Sequence, residues 1–262
     1  MVQLKLGTFS ASLGMLHNQG VRYSTVIDLG CADGSFYLGY VHLGLLAGTV
    51  GVNVDANSLY EPSLKNIQEV LGGHYRIAAI SDHDGEIELQ TGSHAYWAST
   101  LSADASYWQG GMNRPGQILK VPAVTLDTLV RELALKPPFL LKLDVQGGEL
   151  AAFRGGEQML AETDTIICES EPVAFAAVYQ FLARRNFRLF DFTEMSRSTD
   201  GTLLEFYPIF INERVKYQPA ELAPQGAAPV ISAMEQRRAV LLAENAKMLA
   251  EIRQARASGR TA

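Results

Sequence analysis

Short apolar runs alternate with helical stretches through most of this 262-residue chain. The runs are rich in valine, isoleucine and leucine, and they lack the strict polar alternation of strands that face water on one side. Strands of this kind, each followed by a helix, form a parallel sheet that is covered on both faces. The predicted strands are 25–30, 49–54, 75–80, 139–144 and 165–169, and the predicted helices are 35–46, 59–71, 149–160 and 173–185.

The last two apolar runs differ from the others because a polar loop, rather than a helix, joins them. They span 188–192 and 203–211. A short polar connection predicts an antiparallel hairpin, here one that closes an edge of the sheet. Pro208 lacks an amide hydrogen, so its place in the final run favours an edge position or a bulge.

Composition limits the class of protein. Apolar residues make up 47% and charged residues 19%, as in soluble globular proteins, and the net charge of -6 argues against a nucleic-acid backbone as the main partner. The two cysteines, Cys31 and Cys168, cannot form a disulfide framework and favour a reducing, cytoplasmic location. The apolar stretch 36–54 contains four glycines, which favours a buried helix, turn and strand over a membrane span.

The sequence divides into a domain at 1–216, a linker rich in proline and alanine at 217–229, and a helix at 230–262. Within 231–256, side chains at 3-4 spacing form a seam. Two interpretations stay open: a coiled coil with another copy or a partner protein, or a helix folded back on its own domain. The seam comprises Ile231, Met234, Arg238, Leu241, Asn245, Met248 and Ile252.

The segment 92–119 interrupts the periodic pattern and contains both tryptophans, Trp97 and Trp108. Long connections are uncommon in compact domains unless they are functional or disordered, and the aromatic content argues against disorder. We therefore expect a lid over a substrate pocket, with a variable surface loop as the alternative. His94 in this segment is a candidate base or a solvated loop histidine.

The most informative stretch is Val26-Ile-Asp-Leu-Gly-Cys-Ala-Asp-Gly-Ser-Phe36, where a strand ends in a glycine-containing turn that opens a helix. This architecture cradles a nucleotide-like ligand. A dinucleotide fingerprint would need a third glycine, but Ser35 and Phe36 stand there. The acids Asp28 and Asp33 instead suit a cofactor with ammonium and sulfonium charges, and the D-x-G-x-x-x-G pattern is typical of class I S-adenosylmethionine enzymes.

Two further acids follow the next strands. Asp55 lies 21 residues after Gly34, at the end of the second strand, where a carboxylate accepts the ribose hydroxyls of an adenosine. Asp82 follows the third strand and is either an adenine contact or a turn residue. The predicted cofactor contacts are Asp28, Gly30, Ala32, Asp33, Gly34, Ser35, Asp55, Ala56, Asn57, Ser81 and Asp82.

The fourth strand supplies the candidate catalytic residues. Lys142 and Asp144 are two residues apart and therefore share a face, and Asp144 ends the strand at the edge where α/β proteins bind ligands. Asp144 is the first candidate for a base or substrate orienter. Glu149 is a candidate catalytic acid or a helix cap, and Lys142 a catalytic residue or an ion-paired lysine. A divalent metal is a further candidate, with oxygen donors from Asp144, Glu149, and Glu169 or Glu171.

The chain resembles the FkbM-type methyltransferases over about residues 10–211. Three of the stretches that carry the resemblance are the turn at 26–36, Ala78-Ala-Ile-Ser-Asp-His-Asp-Gly85 and Val124-Thr-Leu-Asp-Thr-Leu129. The fourth is Leu141-Lys-Leu-Asp-Val-Gln-Gly-Gly-Glu-Leu150, followed by Arg154-Gly-Gly. The family usually shows K-I-D-V-E-G-x-E there, and Gln146 replaces its first glutamate.

The resemblance implies a class I methyltransferase fold, Rossmann-like, with strand order 3-2-1-4-5-7-6 and an antiparallel last strand. It also implies an S-adenosylmethionine-dependent enzyme that O-methylates a sugar or secondary metabolite, and thus a small-molecule or saccharide acceptor. Two alternatives remain. One is a nicotinamide dehydrogenase. The other is a catalytically inactive S-adenosylmethionine-fold scaffold that binds partners through its C-terminal helix.

Overall fold

A seven-stranded sheet organises the protein in the computed structural model, which describes residues 7–91, 98–99 and 118–216. The sheet contains the strands that carry the predicted site. Its members are β1 (Thr25–Leu29), β2 (Val50–Asp55), β3 (His74–Ile77), β8 (Phe139–Leu143), β9 (Thr163–Cys168), β10 (Phe187–Arg197) and β11 (Leu203–Asn212).

The strand order is β10-β11-β9-β8-β1-β2-β3. Numbered within this sheet alone, the order is 3-2-1-4-5-7-6, so the predicted topology is confirmed. β1 pairs in parallel with β2 and β8, and β8 with β9, whereas β11 is antiparallel to both β9 and β10. The order reverses at β1, because β2 and β8 lie on its two sides, and such a reversal opens a crevice at the carboxyl ends of the strands.

Helices cover both faces of this sheet. The helices are α1 (Phe9–Asn18), α2 (Ser35–His42), α3 (Glu61–Leu71), α4 (Leu126–Glu132), α5 (Glu149–Arg154), α6 (Glu157–Ala161) and α7 (Pro172–Ala183). One face of the sheet packs against α1, α2 and α3, with Val26, Leu140 and Ile167 in its core. The other face packs against α4 to α7, with Ile27, Leu141 and Ile166 in its core.

A second, four-stranded sheet was not predicted. The expected strand 75–80 divides at Ala78, whose amide donates to the carbonyl of Asp55, and the chain then leaves the first sheet. The strands of the second sheet are β4 (Ala79–Ile80), β5 (Gly85–Thr91), β6 (Ala98–Ser99) and β7 (Ile118–Val124). Their order is β4-β7-β5-β6, with β4 parallel and β5 antiparallel to β7.

Two local predictions need correction. Pro208 does not lie in an edge strand, because β11 runs between β9 and β10. It lies between the Ile209–Ile167 pair and the Ser170–Phe206 bridge and forms no ladder pair with β9 itself. The predicted helix 149–160 is two short helices, α5 and α6, because Gly155 packs against the carbonyl of Ser81 and the chain bends there.

Several predictions lie outside the described residues. They include the linker at 217–229, the helix at 230–262 with its seam, His94, and most of the predicted lid at 92–119. Among the helices that the structure describes, none combines the length and the apolar character that a membrane crossing requires.

Candidate active site

Four residues from neighbouring strands form a row at the carboxyl edge of the first sheet. Gly30 follows β1, Asp144 follows β8 and Glu169 follows β9, and backbone hydrogen bonds continue the ladders to Asp144 and Glu169. Tyr207 completes the row from β11, because the Ile209–Ile167 pair and the Ser170–Phe206 bridge bracket it opposite Glu169. The row lies at the crevice that the topology predicts.

The turn after β1 is pressed against the end of β8. Gly30 has a φ of +61°, and a Cβ atom there would lie 1.8 Å from the carbonyl oxygen of Asp144. The amide of Asp144 donates to the carbonyl of Leu29 over 3.0 Å. Glycine is therefore required at position 30 both for its backbone conformation and for space. This contact joins the predicted cofactor turn to the first candidate base.

Asp55 fixes the shape of this turn from the neighbouring strand. One carboxylate oxygen accepts the amide of Ala32 and the other accepts the amide of Asn57, each over 2.8 Å. Burial raises the pKa of Asp55, and these two amides oppose the rise. A carboxylate offers about four lone pairs, so two bonds leave Asp55 with capacity to accept further donors such as ribose hydroxyls.

The remaining turn residues begin α2. The exposed Asp33 accepts the amide of Ser35 over 3.1 Å, and Gly34, with a φ of +78°, packs against Ile67 of α3. The half-buried Ala56 packs against the second sheet, close to Ala79 and Leu89. The structure thus gathers the loops after β1 and β2 at one edge, as the sequence predicts.

Asp82 and Ser81 lie after β4, on the second sheet. Ser81 is buried, whereas Asp82 is exposed and pairs with His83 at 2.8 Å and with Arg154 at 3.8 Å. The His83 hydrogen bond holds the pKa of Asp82 below its usual range. Asp84 is the structural acid of this stretch, because it accepts the amide of Thr125 at the start of α4. The adenine role of Asp82 stays a prediction.

A buried ion pair lies directly beneath the turn. The Nζ atom of Lys142 lies 3.2 Å from Asp28 and 3.6 Å from Asp144, and it donates to the carbonyl of Gly30 over 3.1 Å. The side chains of Asp28 and Lys142 are only 1% and 7% exposed. Asp28 therefore supports the turn from within rather than facing the crevice. Lys142 links β1, β8 and the turn.

Asp144 lies at the centre of the row and remains partly open, with 25% of its side chain exposed. Tyr207 donates to its Oδ2 atom over 2.8 Å, and Gln146 donates to its Oδ1 atom over 3.0 Å. Burial alone would raise the pKa of Asp144, but the charge of Lys142 and these hydrogen bonds lower it overall. Asp144 is consequently ionised near neutral pH and accepts further hydrogen bonds.

Glu169 is the second acid of the row, and its pKa is shifted in the opposite direction from that of Asp144. Burial and the charge of Asp144 raise the pKa of Glu169 to about 10, so that it holds a proton near neutral pH. The Nε2 atom of Gln146 donates to both acids, over 2.7 Å to Glu169 and 3.0 Å to Asp144. The row thus contains one ionised and one neutral carboxyl group, as expected for two acids close together.

Glu149, the third predicted catalytic residue, is buried at the start of α5 and accepts the amide of Gly147 over 3.1 Å. Burial raises its pKa. This contact matches the capping alternative, and a catalytic role stays a prediction. No group of three or more histidine, cysteine, aspartate or glutamate side chains with metal-binding geometry occurs among the described residues, so nothing here supports the metal candidate.

Tyr207 is the residue that sequence reasoning missed. Its ring lies 5.1 Å from that of Phe9, which in turn contacts Phe36 of α2 at 5.6 Å, so an aromatic wall flanks Asp144. The sequence contains part of the information that places Tyr207, because Tyr207 shares a strand face with Ile209 in the predicted hairpin. The missing information was the register of β11 against β9, which only the structure supplies.

The sequence matches the family profile of the Methyltransferase FkbM domain over residues 28–189. This span is more than half of the chain and includes the turn, Asp55 and the end of β8. The chain belongs to the FkbM methyltransferase family. The resemblance drawn from the sequence is thereby confirmed. A search of curated proteins by sequence finds no match.

Solved structures include similar folds at low identity. Methyltransferase FkbM from Methylobacillus flagellatus KT is 12% identical, with 77% of this chain and 48% of that chain covered and a TM-score of 0.46. The present chain thus spans about half the length of that protein. TrmK of M. capricolum, in complex with S-adenosyl-homocysteine, is 11% identical, with 81% and 71% covered and a TM-score of 0.44. An rRNA methylase from Streptococcus thermophilus is 10% identical, with 78% and 93% covered and a TM-score of 0.42.

Proposed function

We propose that this chain is an S-adenosylmethionine-dependent methyltransferase that methylates a hydroxyl group of a small-molecule or saccharide acceptor. The observation that carries the proposal is the contact between Gly30 and Asp144, which joins a nucleotide-type turn to an ionised carboxylate. Family membership supports the methyl-transfer class. The hydroxyl specificity rests on the chemistry of Asp144, which is a hydrogen-bond acceptor.

The residues at the edge fit the proposed cofactor. Asp55 retains acceptor capacity for the ribose hydroxyls, and the acids Asp33 and Asp55 suit a ligand that carries positive charge. Gly30 allows the turn to pack closely against Asp144. The Ser81–Asp82 loop is the proposed adenine contact. When held by these residues, S-adenosylmethionine would supply an electrophilic methyl group on sulfur for transfer to the acceptor oxygen.

Asp144 has two roles in this proposal. Its open edge accepts a hydrogen bond from the acceptor hydroxyl and aligns the oxygen, and it then receives the hydroxyl proton as the oxygen loses it. Lys142 and Tyr207 keep Asp144 ionised before the reaction, which is the form that a proton acceptor needs.

The test is a mass-spectrometric screen of hydroxylated sugars and polyketides with the full chain and S-adenosylmethionine. We expect one acceptor to gain a methyl group, and Asp144→Asn to lower turnover by roughly 10²- to 10⁴-fold with nearly unchanged cofactor affinity. Asp200→Asn, in the exposed loop between β10 and β11, is the matched control. Methylation of nitrogen or carbon only, or wild-type turnover in Asp144→Asn, would contradict the proposal.

A further inference from the structure

Asp144 is held at both of its oxygens by side chains from different parts of the fold. Tyr207 reaches Oδ2 from β11, and Gln146 reaches Oδ1 from the turn after β8. Gln146 and Gly147 both have positive φ values, of 51° and 94°, and this tight turn directs the chain around Asp144. Two fixed donors on separate elements leave the carboxylate little freedom to rotate.

Glu169 completes this arrangement from β9. Both acids accept a hydrogen bond from the same Gln146 nitrogen, which holds the two carboxyl groups next to each other, and the contact with Glu169 lowers the pKa of Asp144. Glu169 is 9% exposed, whereas a quarter of the Asp144 side chain is open. Solvent and an acceptor therefore reach Asp144 more readily than Glu169. Because burial and the charge of Asp144 raise the pKa of Glu169, its neutral carboxyl group is able to donate to the ionised Asp144 beside it.

We infer that Glu169 and Tyr207 are positioning residues of the methyl-transfer site, which hold the Asp144 carboxylate in one orientation toward the acceptor hydroxyl. This inference rests on the proposed function. Neither residue is assigned contact with the acceptor, because each acts through Asp144. Their hydrogen bonds stabilise the ionised form of Asp144 and set the direction of its open edge.

The identity of Gln146 agrees with this role. An ionised glutamate at this position could not donate a hydrogen bond, whereas the carboxamide of glutamine can. The carboxamide donates to Asp144 and Glu169 together and adds no third negative charge to the row. The Gln146 side chain is therefore suited to donate hydrogen bonds to two neighbouring carboxyl groups of which only one is charged.

The first experiment measures kcat and KM for the acceptor in Tyr207→Phe, Glu169→Leu and Glu169→Gln. We expect Tyr207→Phe and Glu169→Leu to lower kcat by roughly 10-fold or more with little change in KM or cofactor affinity. Glu169→Gln keeps a neutral donor and should retain kcat within about threefold. The matched controls are Tyr179→Phe on the outer helix α7 and Glu162→Gln on the surface.

The pH profile adds a readout that a purely structural role would not move. Loss of the Tyr207 hydrogen bond removes a donor that favours ionised Asp144, so the acid limb of kcat should move to higher pH in Tyr207→Phe. Unchanged kcat and an unchanged profile in Tyr207→Phe would overturn the inference. Equal damage from Glu169→Gln and Glu169→Leu would also overturn it.

A carboxyl ¹³C NMR titration of the free protein separates this inference from the proposed function. We expect the Asp144 resonance to titrate at higher pH in Tyr207→Phe than in the wild type, and at an unchanged pH in Tyr179→Phe. An unchanged Asp144 titration in Tyr207→Phe overturns the inference regardless of activity. If the titration of Asp144 shifts in Tyr207→Phe but the wild type methylates no acceptor, the hydrogen bond between Tyr207 and Asp144 is supported and the proposed function is contradicted. The positioning role of Tyr207 in methyl transfer is then contradicted as well.

Discussion

Lys142 is a buried charged side chain on which we expect the stability of the fold to depend. It is enclosed with Asp28 beneath the turn that follows β1 and donates to the carbonyl of Gly30. Burial alone would lower the pKa of Lys142, but the charges of Asp28 and Asp144 outweigh this effect and raise it. The lysine thus stays charged, and its removal leaves the buried Asp28 without its counter-ion.

We therefore expect Lys142→Met to lower the free energy of unfolding by about 3–5 kcal/mol, the usual cost of breaking one side of a buried ion pair. Arg76→Met is the matched control, because Arg76 pairs with Glu132 at 2.7 Å on the surface, where both side chains are at least 40% exposed. Such a pair contributes at most about 1 kcal/mol. Urea unfolding measures both. Equal effects of the two variants would contradict a buried charge at Lys142.

The raised pKa of Glu169 predicts that the stability of the folded protein depends on pH. Burial and the charges of Asp144, Glu205 and Glu149 raise its pKa to about 10 in the folded chain, whereas an unfolded glutamate releases its proton near about pH 4.3. Between these values the folded state holds one proton more. The stabilising contribution of this group is therefore complete in acid and decreases as pH rises through that window.

We accordingly expect Glu169→Gln to lose less thermal stability than the wild type between about pH 6 and about pH 9, because the amide does not titrate. Differential scanning calorimetry across this range provides the measurement. The exposed Glu162→Gln serves as the control and should follow the wild-type curve. Parallel curves for Glu169→Gln and the wild type would show that Glu169 is already ionised.

At the level of secondary structure elements, the turn between β1 and α2 requires glycine for its positive φ and for the close contact with Asp144. These two requirements can be tested separately. Gly30 and Gly20 both have positive φ, at +61° and +85°, but only Gly30 faces a steric conflict, with the Asp144 carbonyl. A Cβ atom at Gly20 meets no atom within 4 Å. Gly20→Ala therefore reports the conformational cost alone.

We expect Gly20→Ala to cost about 1–2 kcal/mol and Gly30→Ala clearly more, with an added clash of about 1–3 kcal/mol. Gly30→Ala should also weaken S-adenosylmethionine binding, whereas Gly20→Ala should not. Chemical unfolding and calorimetric titration measure the two effects. Similar stability of the two variants would contradict the close approach of the turn to Asp144.

Sequence periodicity predicted the elements whose pattern is local and missed those that depend on distant partners. Buried strands such as 139–144 have continuous apolar runs, and the turn at Gly30 carries its own signature. The second sheet was missed because β4 has two residues and pairs with β7, about forty residues away. Tyr207 was missed for the same reason, since its place opposite Glu169 depends on the register between two strands.

For the whole molecule, we propose that 1–216 is the catalytic domain, 217–229 a linker, and 230–262 an association helix. Along the chain, the last strand that the structure describes is β11, which ends at Asn212. The family match ends at residue 189. All four residues of the row, Gly30, Asp144, Glu169 and Tyr207, lie within 1–216. A chain truncated after 216 should keep its unfolding temperature and cofactor affinity and should have a smaller oligomer mass in light scattering. An unchanged oligomeric state, or lost cofactor binding, would contradict this division.

We propose that the loops after β1 and β2 hold S-adenosylmethionine, with Asp55 as the ribose contact. Calorimetric titration of the full chain tests this assignment. We expect wild-type binding of S-adenosylmethionine, none of NAD, and an affinity about 10- to 100-fold weaker in Asp55→Asn, equivalent to about 1.5–3 kcal/mol. The control Asp200→Asn should bind as the wild type does. No heat of binding with S-adenosylmethionine, or equal affinity in Asp55→Asn, would contradict the account.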